Sequence, residues 1–162
     1  ALATYATRCA EKLRRQHSAA KKVSVFLIRK GIPYTEIKTH YHRGYQVNGV
    51  SLLEIPTQLT PEIIKAAVAI GKSIFEPGEK YKKAGVILSD FVPDIALQTN
   101  LFIAPANHKR KKLMNVIDNM NAAYRGDVLK FGTSGTQKNW KMRSEKRSKR
   151  YTTRWEELCL VK

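Results

Sequence analysis

The side chains whose types and spacing could do chemistry in this sequence are a lysine pair and a short apolar peptide. Lys82 and Lys83 stand immediately before Ala84-Gly85-Val86-Ile87-Leu88-Ser89-Asp90-Phe91. Long cationic side chains at the start of an apolar stretch can lean out toward a polyanion, and phosphate is an anion that such point charges suit. The plainer alternative is a solvated basic turn before an ordinary strand. Farther on, Gln98 is followed three and four residues later by Leu101 and Phe102. Two large apolar side chains in a polar stretch after a finished domain suit insertion into a partner's pocket, with the Gln amide supplying directional hydrogen bonds. Their alternative is to fold back onto the last helix of that domain.

Catalytic residues are not legible. The acids are scattered, no Asp-x-Asp or Asp-Glu pair sits beside a buried strand, and Glu156-Glu157 lies in a tail, so no two-metal site is encoded. No nucleophile elbow, phosphate-binding loop or Gly-rich dinucleotide turn is present. His40 and His42 could point one way from an extended loop toward a metal, but no Cys or acid stands at ligand spacing, and surface histidines are the better reading. Cys9 lies in the apolar stripe of a helix and reads as a core residue. The sequence therefore predicts no catalytic residue, no metal site and no cofactor within this chain.

The elements that must position the lysines follow from periodicity. Leu2, Ala6, Cys9 and Leu13 recur at helical spacing, with Arg8, Glu11, Lys12, Arg14 and Arg15 opposite, which predicts an amphipathic helix over residues 1–18. Val23 to Lys30 is apolar on both alternating faces, as suits an inner strand covered on one side and partly shielded on the other. Gly31 and Pro33 end it, and residues 34–44 read as a polar aromatic loop or irregular hairpin. Tyr45 to Ile55 predicts a strand broken at Asn48-Gly49 by a bulge or a turn. Thr60-Pro61-Glu62 supplies an N-cap, a first-turn proline and an acid for a helix lined by Ile63, Ile64, Ala67, Ile70, Ile74 and Phe75, stopped by Pro77-Gly78. The alternation of Ala84, Val86, Leu88 and Val92 against Gly85, Ile87, Ser89 and Phe91 predicts a half-buried strand over 84–92. The order helix, strand, strand, helix, strand would complete a split βαβ sheet, of α+β class with two helices on one face, if one strand preceded Ala1. The helical pattern is already running at Leu2 with no capping residue before it, so the chain reads as a piece of something longer.

After Pro93 the character changes. Residues 94–108 read as a linker carrying the Gln98 to Phe102 peptide, and residues 109–162 as a smaller α+β region. In that region Leu113, Val116, Ile117 and Met120 predict a short helix, Asp127 to Gly132 a strand and Gly132 to Gly135 a turn. A basic run from Lys138 to Arg150 follows, interrupted by Trp140 and Met142. Its few apolar residues suggest marginal stability alone.

The charge balance points the same way as the lysines. Thirty Lys and Arg against 13 Asp and Glu give a net charge of +17, well beyond what solubility requires. Nucleic acid is favoured over membrane, because no apolar run approaches the roughly 18 to 20 residues of a spanning helix; acidic lipid is the minor alternative. Cys9 and Cys159 alone, far apart in the chain, suggest neither a disulfide framework nor a zinc cluster and fit a reducing, cytoplasmic compartment.

Tyr5-Ala6-Thr7-Arg8-Cys9-Ala10-Glu11-Lys12-Leu13-Arg14-Arg15, Val23-Ser24-Val25-Phe26, Pro56-Thr57-Gln58, Tyr81-Lys82-Lys83-Ala84-Gly85-Val86 and Arg150-Tyr151-Thr152-Thr153-Arg154-Trp155-Glu156 together resemble the C-terminal part of the UmuC-type Y-family translesion DNA polymerases. The resemblance is dense, colinear and covers essentially the whole chain. It implies that residues 1–93 are the little finger domain less its first strand, and that 109–162 are the UmuC-specific C-terminal region. Palm, fingers and thumb, with the carboxylates that hold Mg2+, would lie upstream.

Little fingers of this family hold primer-template DNA through the sheet face and its edges, mainly by phosphate contacts. The resemblance places Lys82 and Lys83 at a cationic pair that opens the last strand, and Lys21 and Lys22 at the matching helix-to-strand junction. Arg29, Lys30 and Arg43 are weaker candidates. This sequence departs at Ile87, where relatives often carry another Arg, and at Asp90, whose charge is wrong for phosphate. Gln98, Leu101 and Phe102 resemble the peptide that docks on the sliding clamp, with Thr99 where Leu is usual. The C-terminal region, by the same resemblance, contacts the UmuD′ dimer and RecA. The resemblance as a whole implies error-prone translesion synthesis in the SOS response to DNA damage. Two rival readings are a basic RNA-binding module, for which only Phe91 offers a stacking ring, and an adapter whose charge serves protein partners.

Overall fold

The computed structural model describes residues 1–30, 46–95, 108–124, 126–136, 140 and 147–158. Helix α1 runs over Leu2–Arg15, three residues short of the expected end. Its stripe of Ala3, Ala6, Ala10 and Leu13 is buried; small residues at helical spacing let a second helix approach closely. Gln16 and His17 donate their N–H groups back to Lys12 and Arg14, and His17 takes a φ of 52° that turns the chain sharply. Strand β1 therefore begins at Ser18 and runs to Arg29, five residues earlier than the apolar run suggests, with Ala19 and Ala20 fully buried.

Strands β2 (Gln46–Thr57) and β3 (Tyr81–Pro93) pair antiparallel with β1 on either side, in the order β2-β1-β3. The central place of β1 matches its two-sided apolar pattern. Val23, Val25 and Leu27 face the helices and are buried, whereas Ser24, Phe26 and Ile28 are half-buried on the open face. β2 is not broken at Asn48-Gly49: Asn48 pairs with Phe26 and Gly49 with Val25. The glycine is there for a steric reason, since a Cβ at Gly49 would run into the Ile70 side chain. The irregularity lies farther along, where the partners of β1 jump from Leu52 opposite Lys22 to Thr57 opposite Ala20. β3 starts three residues before the expected position, so Lys82 and Lys83 are part of the strand rather than a turn ahead of it.

Helix α2 (Thr60–Ile74) has Leu59, not Thr60, at its N-cap, with proline and Glu62 in its first turn as expected. It ends at Phe75 ahead of Gly78, whose φ is 91°. Ile63, Ile64, Ala67 and Ile70 meet Ala3, Ala6, Ala10 and Leu13 of α1 and Val23 and Val25 of β1 in one core. Both helices thus lie on one face of a three-stranded antiparallel sheet, the α+β arrangement expected.

Helix α3 (His108–Ala123) is longer than its stripe predicts and is turned differently. Leu113, Val116 and Met120 are exposed, and Met114 is buried instead. The inward line is Met114, Ile117, Asp118 and Asn121. The strand expected over 127–132 does not form. Asn121 accepts the Leu129 N–H at 2.9 Å and donates to its carbonyl at 3.0 Å, so one side chain takes the place of a strand partner. A 3₁₀ turn over Gly132–Ser134 closes the expected turn, and a second spans Trp155–Glu157. Among the described residues the C-terminal region carries no strand.

Candidate nucleic-acid interface

Pairing of β1 with β3 decides where the cations fall. Ile28 opposes Lys83 and Arg29 opposes Tyr81, which brings the end of β1 to the start of β3. The Lys30 N–H donates to the Lys80 carbonyl at 2.6 Å and ties the two segments together just beyond the sheet. Lys30, Lys80, Lys82 and Lys83 are all exposed at this one end. The sequence pattern does not single out Lys80, because it stands outside the apolar alternation of β3. Only the strand register makes it a neighbour of Lys30.

Arg29, at the same end, is committed elsewhere. Its Nη2 lies 2.5 Å from Glu76 Oε1, and its Nε is buried with no partner among the described residues. Lys21 and Lys22 lie toward the opposite end of the sheet, where Lys22 opposes Ser89 and the pairing continues to Ser18 opposite Pro93. Lys22 and Lys83 fall on the same open face, six residues of strand apart, or roughly 20 Å at about 3.3 Å per residue. Between them the open face carries Phe26, Val50 and Ile87, with Leu52 beside Lys22 and Phe91 beyond it; Val50, Leu52, Ile87 and Phe91 are more than half exposed. A Cβ at Gly85 would strike the Phe26 ring, so this ring lies over the backbone of β3. Phe91 opposes Ala20, six residues of strand from Phe26, or roughly 20 Å at about 3.3 Å per residue, too far to stack neighbouring bases as paired aromatics on an RNA-binding sheet would. Asp90, between the pairs Ala20–Phe91 and Lys22–Ser89, has a φ of 56° and is exposed. Arg43, His40, His42, Gln98, Leu101, Phe102 and Cys159 lie outside the described residues.

Two arginines of α1 are engaged within the molecule. Helical spacing puts Arg14 on the solvent face of α1, yet it is only 8% exposed. Its Nε and Nη2 reach Asp118 Oδ2 and Oδ1 at 2.6 and 2.8 Å, and Nη1 reaches the Gln58 carbonyl and Thr60 Oγ1 at 2.7 and 2.9 Å. All three guanidinium nitrogens are satisfied in a planar fork, a geometry lysine cannot supply. Arg8 binds Glu11 at 2.9 Å and Asp127 at 2.5 Å. The hydrogen bond to Glu11, with the charges of Asp127 and Glu11, raises its pKa above the ordinary arginine value against the opposing effect of burial. These two arginines fasten α3 and the segment after it to the outer side of α1. Cys9 is half-buried, its Sγ 3.7 Å from the Val86 carbonyl, and burial pushes its thiol pKa up, which suits a packing role.

Beside the cation cluster runs a groove of about 890 Å³ between the first two turns of α1, the start of β3 and Trp140. Tyr5 and Trp140 meet edge to face, with ring centroids 5.4 Å apart and planes at 66°. Lys82 and Lys83 form the opposite lip, with Phe26 and Tyr81 between. Among the described residues no three His, Cys, Asp or Glu side chains gather where they could hold a metal ion, and no helix is long and apolar enough to cross a membrane.

Residues 1–101 match the impB/mucB/samB family C-terminal domain, and residues 111–161 match a domain of unknown function, DUF4113. Protein UmuC of Salmonella typhimurium is 38% identical over the whole chain, and Protein ImpB of the same species 34%. Protein MucB of Escherichia coli is 32% identical over 99% of it. The chain spans 37% of the length of the first two relatives and 36% of the third.

Proposed function

Because the chain belongs to the impB/mucB/samB family and corresponds to the C-terminal, little finger region of UmuC-type Y-family polymerases, we propose that it is the DNA-gripping and partner-binding part of an error-prone translesion DNA polymerase. It acts in the cytoplasm, in SOS-induced tolerance of DNA damage. The observation that carries the DNA contact is the gathering of Lys30, Lys80, Lys82 and Lys83, all exposed, at one end of the sheet, with Lys21 and Lys22 at the other. Lysines that neutralise phosphates grip without reading bases. A polymerase crossing damaged template needs that indifference to sequence.

Reversing both charges, Lys82→Glu with Lys83→Glu, tests the grip in a fluorescence-anisotropy titration with primer-template DNA. Two lost phosphate contacts and two new repulsions weaken binding on the order of tenfold or more at moderate salt, while circular dichroism shows an unchanged fold. Equal affinity would remove the sheet-end grip and leave the adapter reading.

Gln98, Leu101 and Phe102 dock the chain on the sliding clamp, and residues 109–162 receive the UmuD′ dimer and RecA. A tether of this kind raises the effective concentration of a weak grip. Pull-downs with clamp, UmuD′ and RecA as separate preys check both parts. Leu101→Ala with Phe102→Ala abolishes clamp capture and spares the other two. Clamp capture that survives the double change places that contact elsewhere.

A further inference from the structure

The groove beside the cation cluster has two kinds of wall. One lip is cationic, with Lys82 and Lys83 exposed; the other carries Trp140, 41% exposed, held edge to face against Tyr5. The acid in the groove, Asp127, is paired with Arg8, so the lysines dominate the local charge. A duplex presents phosphates to such a surface but keeps its bases stacked on each other. An unpaired strand offers both phosphates and free π-faces, and aromatic rings beside a positively charged track are how proteins hold one without reading its sequence. The volume lies within the range that buries a small ligand, which suits a short stretch of strand.

We infer that this groove binds a short segment of single-stranded DNA, with bases stacking on Trp140 and Tyr5 while Lys82 and Lys83 neutralise the adjoining phosphates. The inference rests on the DNA-gripping reading above and adds to it a distinct ligand form. It also gives the C-terminal region, which supplies Trp140, a direct part in holding DNA. Neither lip suffices alone: phosphate contacts do not distinguish a strand with bases from one without.

That distinction supplies the test. The 162-residue chain is titrated with fluorescein-labelled oligo-dT and with an abasic strand of the same length at one salt concentration. Stacking of even one base predicts about tenfold tighter binding of oligo-dT. In a Trp155→Phe background, where Trp140 is the one remaining tryptophan, oligo-dT quenches the emission and the abasic strand does not. Trp140→Ala removes the preference for oligo-dT and leaves duplex affinity unchanged, and Trp140→Phe restores part of it, which a general loss of packing would not do. Equal affinity for the two strands, or a preference that survives Trp140→Ala, overturns the groove while leaving the phosphate grip standing. If Lys82→Glu with Lys83→Glu changes the affinity of no strand, single or double, both readings fail together.

Discussion

Arg14 is the residue whose role differs most between its sequence pattern and its place in the fold. On a helical wheel it sits among Arg8, Glu11, Lys12 and Arg15, an ordinary solvated face. Its partners, however, are the Gln58 carbonyl, Thr60 and Asp118, respectively 44, 46 and 104 residues away. Helical periodicity reports only neighbours three or four positions apart, so contacts at this range leave no local trace. Removing one member of such a pair strands a charge that has already given up its water. Asp118→Asn should therefore cost about 2 to 3 kcal/mol, below the 3 to 5 of a fully buried pair, because Asp118 keeps a fifth of its side chain exposed. A urea midpoint within error of the parent would show that Arg14 is held by Gln58 and Thr60 alone. Lys82 and Lys83 are the opposite case. Their exposure was legible, since charged side chains at the margin of an apolar stretch are rarely buried.

At the scale of elements, types were legible and ends were not. The stripe of α2 from Ile63 to Ile74 and the alternation of β3 appear as the apolar pattern indicates, because each packs against one core by one face, whereas Phe75, expected in the stripe, caps the helix with its side chain exposed. Asn48-Gly49 misleads because a glycine in a strand signals either a break or a close approach. Here it is the second: α2 crosses so near that a methyl group at Gly49 would overlap Ile70. Gly49→Ala should lower stability by about 1 to 3 kcal/mol, the usual range for overpacking, read as a fall in thermal midpoint. A rise would contradict the close approach of Ile70 to Gly49. In the C-terminal region the apolar stripe of α3 marks the wrong side for Leu113, Val116 and Met120, and only Ile117 of it turns inward. There the docking surface is built from Arg8 and Arg14, and a polar line of Asp118 and Asn121 around Met114 fits it better than leucine and valine would. The strand expected over 127–132 fails for a related reason, its backbone being satisfied by Asn121 rather than by a neighbouring strand.

For the whole molecule, the net charge of +17 is divided by the fold into two uses. Arg8, Arg14 and Arg29 are held in internal pairs. Lysines are left to face solvent at the two ends of the sheet, with apolar and aromatic side chains between them. Composition announces a polyanionic partner but cannot say which cations are available to it; the pairing of β1 with β3 does. The measurement that tests this division most directly is the salt dependence of binding to primer-template DNA, for the 162-residue chain and for its Lys82→Gln, Lys83→Gln variant. With each neutralised phosphate contributing about 0.9 to the slope of log affinity against log salt, the four lysines at the start of β3 predict a slope of about −4 or steeper, and the double variant should be shallower by about 2. Parallel slopes for the two proteins would contradict the account and move the grip to other cations of the chain.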